Sequence, residues 1–217
     1  MIRTELDREL QRLQDEMVTL GSKVSNALEE AVSILRRQDL EAAERLIAAD
    51  RAIDDQRYAM ESDILTTIAR QQPMATDLRT LAAMLEIIAD LERIGDYAEG
   101  IAKITLMLGN EQQVPPIPQI PRMVAKAREM LDRALDAFLR GDVEVARAIP
   151  AEDDIVDALY NEVNQSLLDM MLQDPQKMEQ ANLLVWVAHN LERSADRVIN
   201  ICERVVFTMT GDMHELA

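Results

Sequence analysis

Apolar residues recur along this chain at steps of three and four. Leu6, Leu10, Leu13, Met17, Leu20, Val24, Ala27, Ala31 and Ile34 make the first such stripe. That period predicts a long amphipathic helix with a coiled-coil-like seam. Asp39 stands where an N-cap belongs, and a second helix is expected from there to about Arg70. Gln71-Gln72-Pro73 ends it, because proline interrupts a helix. A third helix runs to about Leu108. Gly109-Asn110 and the stretch from Val114 to Pro121, with prolines at 115, 116, 118 and 121, predict a non-helical linker. The pattern then restarts, with helices expected over 123–139 and 143–172 and a last one reaching about Thr210, separated by Gly141-Asp142 and Asp174-Pro175. Pro150 should bend the fifth helix just before Asp153.

The restart is a repeat. Arg37-Gln38-Asp39 matches Arg140-Gly141-Asp142 at an offset of 103, and Leu91-Glu92-Arg93 matches Leu191-Glu192-Arg193 at an offset of 100. The expected architecture is therefore all-α, two tandem three-helix bundles related by internal duplication, six helices in all. The units fall at 1–110 and 122–217, joined by a Pro-rich linker at 111–121. Composition agrees: 217 residues at 48% apolar suffice for a core, and six glycines with 3% aromatics leave little room for a turn-rich β fold.

The duplication carries the same acids twice. Asp50 and Asp54, then Glu92 and Asp96, stand in the first half; Asp153 and Asp157, then Glu192 and Asp196, stand in the second. A four-residue step puts each pair on one helix face, a turn apart, where like charges repel. On a helical wheel, Asp50 and Asp54 interrupt the stripe of Ala43, Leu46, Ile47, Ile64 and Ile68, and Asp153 and Asp157 interrupt that of Ala146, Ile149, Leu167 and Met171. Glu92, Asp96, Glu192 and Asp196 fall at the edge of theirs. Folding each hairpin at its break brings four carboxylates to one height: Asp54 lies 18 residues before Gln72 and Glu92 lies 20 after it. Removing even one unpaired carboxylate from water costs several kcal/mol. Protonation, a salt bridge or a cation would each relieve that cost. Arg57, near Asp54 and Glu61, offers a local ion network in the first half; its counterpart is Tyr160, and Arg93 and Arg193 are expected to point away. The second half thus favours a bound cation. Oxygen-only ligands suit Mn, Mg, Fe or Ca better than zinc. His189 could add a nitrogen, although its counterpart is Ala89 and a solvent-facing role is expected. His214 falls in the tail.

Charge and motifs narrow the function. A net charge of −17 speaks against nucleic acid and anionic membrane surfaces as direct partners. One cysteine, Cys202, allows no internal disulfide and reads as a small core residue in a reducing compartment. No apolar targeting or spanning segment is visible, so a cytoplasmic protein without membrane insertion is expected. Glu-x-x-His pairs of bundle oxidases, nucleophile triads and a Gly-rich phosphate loop are all missing, which speaks against an enzyme.

Two strings resemble the PhoU family of phosphate-uptake regulators: Gln72-Pro73-Met74-Ala75-Thr76-Asp77-Leu78-Arg79, and Leu91-Glu92-Arg93-Ile94-Gly95-Asp96. The resemblance extends over nearly the whole chain. It implies tandem three-helix bundles, frequent homodimers, and iron or zinc clusters held by Glu/Asp-x-x-x-Asp motifs, which map onto the eight acids named above. It also implies partners: the phosphate ABC transporter ATPase and a phosphate-sensing histidine kinase, with repression of phosphate-starvation genes and restraint of uptake as the outcome. Departures occur at Ser194-Ala195, which replaces Ile-Gly, and at Gly100, whose counterpart in the second half is Asn200. The expected function is a metal-binding, non-enzymatic cytoplasmic regulator of phosphate homeostasis, with Fe, Zn, Mn or Mg as the ion. The alternative is a carboxylate-bridged metal-dependent enzyme of helical-bundle type.

Overall fold

A computed structural model describes residues 2–110, 113–212 and 215–216. His214 lies outside them. Seven α-helices follow one another among the described residues: α1 Ile2–Arg37, α2 Leu40–Gln71, α3 Thr76–Leu108, α4 Gln119–Arg140, α5 Val143–Ala148, α6 Asp153–Gln173 and α7 Met178–Thr210. Two 3₁₀ turns, Pro150–Glu152 and Pro175–Lys177, precede α6 and α7. The expected fifth helix is α5, the first 3₁₀ turn and α6 together. The chain is thus a duplicated three-helix unit, with no strand among the described residues.

The local chemistry of the helix ends is duplicated too. Asp39 accepts from the Ala42 N–H at 3.0 Å, and Asp142 accepts from the Val145 N–H at 3.1 Å. Each satisfies a donor that has no partner within its helix. Gln72 adopts a left-handed conformation (φ 47°) that closes α2, and its N–H reaches the Ile68 carbonyl. Two elements differ from expectation. α4 begins at Gln119 rather than near Met123, with Pro121 inside its first turn. The N–H that proline lacks would have been unpaired there anyway, and burial of Ile120 rewards the early start. Helix five is broken at Pro150, not merely bent, since the ring would clash with the carbonyl four residues back.

One continuous apolar core runs through both units. α3 and α7 lie antiparallel at its centre: Asp90 meets Asn200 at 3.2 Å, and Gly100 faces Asn190. These two contacts bracket Gly95 and Ala195, which hold equivalent positions in the two repeats and are both buried. A second seam joins α1 to α4, where Arg128 donates to Ser25 at 3.0 Å and pairs with Glu29. Leu91 and Leu191 are fully buried on the inner faces of α3 and α7. Leu191→Ala should therefore cost about 2–5 kcal/mol, as deletions in tightly packed cores do. Denaturant unfolding checks this, and a loss below about 1 kcal/mol would place the residue outside a close-packed core.

Candidate metal centre

The hairpins set the two acidic groups on facing helices. Asp50 and Asp54 project from α2 toward Glu92 and Asp96 of α3. One oxygen each from Asp50, Asp54 and Asp96 lies within 4.8 Å of the others, and all three residues are half-buried. Ligands sharing a cation at about 2.0–2.6 Å cannot be more than about 5 Å apart, so this trio is spaced to hold one. Gly95 eases the packing of α3 on α2 beside the trio, since a Cβ there would stand 3.3 Å from Ile53 Cδ1 and 3.4 Å from Asp50 Oδ1. Glu92 sits beside the trio rather than in it, within electrostatic reach of Asp96 and Asp54.

The second group is looser. Asp153, Glu192 and Asp196 are half-buried, but Asp157 is exposed, contrary to the helical-wheel expectation that both aspartates of its pair lie off the water face. No second trio as tight as the first forms among the described residues. Two differences between the repeats accompany it: a 3₁₀ turn precedes α6, and Ala195 stands where the first repeat has Gly95. Yet the charges still act on one another: Asp157, Asp196 and Glu192 all raise the Asp153 carboxyl. Asp153 Oδ1 and Glu192 Oε2 are buried with no hydrogen-bond partner, which is the condition a cation would relieve.

Basic residues lie closer than the wheel implied. Arg93 reaches Asp96 at 3.3 Å and Arg193 reaches Asp196 at 2.6 Å, each across three residues of its own helix. These long side chains curl back along the surface instead of pointing away. Arg57 pairs with Glu61 at 2.8 Å. His189 packs edge-on against Trp186 and beside Tyr160, with Nδ1 3.5 Å from Glu192 Oε2. It is partly shielded by these rings rather than turned wholly to solvent.

Glu99, absent from the sequence reading, belongs to the first group. It stands three residues beyond Asp96, pairs with Lys103, and adds the strongest like charge on Asp50. Its spacing from Asp96 was the available signal, but its equivalent in the second repeat is Ile199, so a search for duplicated acids passes over it.

Burial is the main electrostatic effect at both groups. It pushes Asp50 up to about 6, with Glu99, Asp54 and Asp96 adding to it. It pushes Asp153 up to about 7, with Asp157, Asp196 and Glu192 adding to it. Glu92, Asp96, Glu192 and Asp196 are raised by burial as well, and Arg93 and Arg193 offset part of this. Oxygen-only donors at this spacing suit hard divalent and trivalent cations. Cys202 is buried, and burial pushes its thiol up to about 12, so it is neither thiolate nor ligand near neutral pH.

Fold and site together define a duplicated three-helix-bundle protein with an acidic hairpin in each unit. A sequence profile of the PhoU domain matches residues 17–105 and 120–205, and the chain belongs to the PhoU family. A "Phosphate-specific transport system accessory protein PhoU homolog" of Clostridium acetobutylicum is 33% identical over 100% of this chain and 99% of its own. The Escherichia coli "Phosphate-specific transport system accessory protein PhoU" is 30% identical over 95% of this chain and 86% of its own. The crystal structure of the phosphate transport system regulatory protein PhoU from Streptococcus pneumoniae superposes with a TM-score of 0.89 at 30% identity, over 96% of this chain and 99% of that one. Pseudomonas aeruginosa PhoU gives a TM-score of 0.87 at 28% identity, over 95% and 99%.

The raised carboxyls fix a pH dependence. Asp153 moves from an ordinary 3.8 to about 7 on folding, so the native state binds the proton more tightly than the unfolded chain. The Asp153 contribution to the stability of the metal-free protein is therefore greatest below the ordinary value and is lost as pH rises toward 7. Asp153→Asn removes the ionisation and should raise Tm at pH 8 in chelator while changing little at pH 4. Thermal melts at both values check it; an equal shift at both would mean that ionisation is not the cause.

Proposed function

We propose that this protein is a non-enzymatic, metal-binding accessory regulator of a phosphate transport system. The observation that carries the reading is its end-to-end similarity to relatives named as phosphate-specific transport system accessory proteins. In this reading the chain works in the cytoplasm, as a homodimer, against the transporter ATPase and a phosphate-sensing histidine kinase. It restrains uptake and represses the phosphate-starvation response when phosphate is plentiful. No helix among the described residues is long and apolar enough to cross a membrane, which fits a component that docks on the transporter rather than forming part of its channel.

The metal part of the proposal rests on the carboxylates. Asp50, Asp54 and Asp96 would hold one ion with Glu92 beside them, and Asp153, Asp157, Glu192 and Asp196 would hold the other. A bound Fe, Zn, Mn or Mg ion would supply positive charge and cross-link the helices. The protein's own residues do the rest: α2 and α6 present one acidic pair each, α3 and α7 the other, and Arg93 and Arg193 temper the charge at the rim. With an ion in place, the facing helices would lose their mutual repulsion and keep one relative setting. That rigid, acidic surface is what basic partner surfaces would recognise, which assigns the regulator a binding role rather than a chemical one.

Immobilised transporter ATPase and histidine kinase should each retain the metal-loaded protein. Retention should fall at least tenfold with chelator or in Asp54→Asn/Asp96→Asn. Undiminished retention in that variant would separate partner binding from the carboxylates. Turnover in an oxidase or phosphatase screen that disappears in Asp54→Asn/Asp96→Asn would instead support the enzyme alternative.

A further inference from the structure

The fifth helix breaks in one repeat only. In the first, α2 passes unbroken through the equivalent stretch, with Ile47 in the place of Pro150. A 3₁₀ turn holds about 3.0 residues per turn against about 3.6 in an α-helix. Three such residues rotate the chain about 60° further and lengthen it by about 1.5 Å. That change passes directly into α6, on whose first two turns Asp153 and Asp157 stand. A freely adjustable turn would leave both carboxylates without a defined position relative to Glu192 and Asp196.

Glu152, the last residue of the turn, removes that freedom. Its Oε2 accepts from Lys126 Nζ at 2.5 Å and its Oε1 from Arg133 Nη1 at 2.5 Å. Both donors belong to α4, two turns apart on one face. With each oxygen engaged, the carboxylate is fixed in place and in rotation. Lys126 is mostly covered, at 15% exposed, so this pair is less screened than a surface one. Nothing equivalent occurs in the first repeat: Ala49 replaces Glu152, Glu30 replaces Arg133, and Lys23, the counterpart of Lys126, donates to Gln56 instead. There the space is an open cleft of about 350 Å³ bordered by Lys23, Ala49, Asp50 and Glu99.

We propose that Glu152 is a positioning residue for the second carboxylate set: docked between Lys126 and Arg133, it locks the 3₁₀ turn onto α4 and so fixes Asp153 and Asp157 for binding a divalent cation. This inference rests on the metal reading of that set given above.

The test is Mn²⁺ titration calorimetry on the full-length, metal-free chain. With the first set disabled by Asp54→Asn/Asp96→Asn, adding Glu152→Gln should weaken Mn²⁺ binding at least tenfold. With the second set disabled by Asp153→Asn/Asp157→Asn, the same change should leave the affinity at the first set unaltered. Glu152→Gln alone, in chelator, should speed amide hydrogen exchange across 151–157 while leaving α3 protected. A general weakening of the fold would lower both affinities together, and that result overturns the inference, as does unchanged affinity at the second set. If the parent with only its second set intact takes up no Mn²⁺, the metal reading of that set fails and this inference fails with it.

Discussion

Repulsion among half-buried carboxylates is the constraint around which this protein is arranged. Each repeat spends part of an apolar helix face on aspartates, then folds a second acidic helix against it. The core supplies the force that holds those helices together despite the charge: Leu91, Ile94 and Ala98 on α3 and Leu191, Ala195 and Val198 on α7 are all buried. The acids sit at the margin of that core, too deep for full hydration and too shallow to be neutral by default. Asp153, raised to about 7, is poised between its two states near physiological pH. A cation would resolve the conflict for the whole group at once, whereas a proton would resolve it for one oxygen at a time.

The duplication is close in backbone and unequal in chemistry. In the first repeat Gly95 packs against Ile53 and Asp50, and three oxygens converge. Its counterpart Ala195 carries a methyl, Pro150 breaks the helix that bears Asp153, and a clamp of Glu152 with Lys126 and Arg133 appears where the first repeat has Ala49 and an open cleft. Two copies of one plan have thus become two carboxylate groups with different surroundings.

Much of this was legible in the residues themselves. The heptad-like stripe of α1, the Asp39 and Asp142 caps and the offset that aligns the halves all reflect local chemistry and periodicity, and the structure follows them. The convergence of Asp50, Asp54 and Asp96 follows from counting residues on either side of a hairpin. What escaped depends on side-chain reach and on neighbours distant in sequence. A wheel treats Arg93 and Arg193 as vectors from the axis, whereas their long stems fold back to Asp96 and Asp196. It also assumes an unbroken helix, so the exposure of Asp157 beyond the Pro150 break was hidden. Glu99 and Glu152 were missed for one reason: neither is duplicated, and the repeat was the filter.

Diffraction from crystals grown with Mn²⁺, recorded near the manganese absorption edge, tests the claim of cation neutralisation most directly. The expected result is an anomalous peak between α2 and α3 with Asp50, Asp54 and Asp96 oxygens around it at about 2.1–2.3 Å. A peak-free site at saturating Mn²⁺, its carboxyls relieved instead by protons or by Arg93, would contradict it.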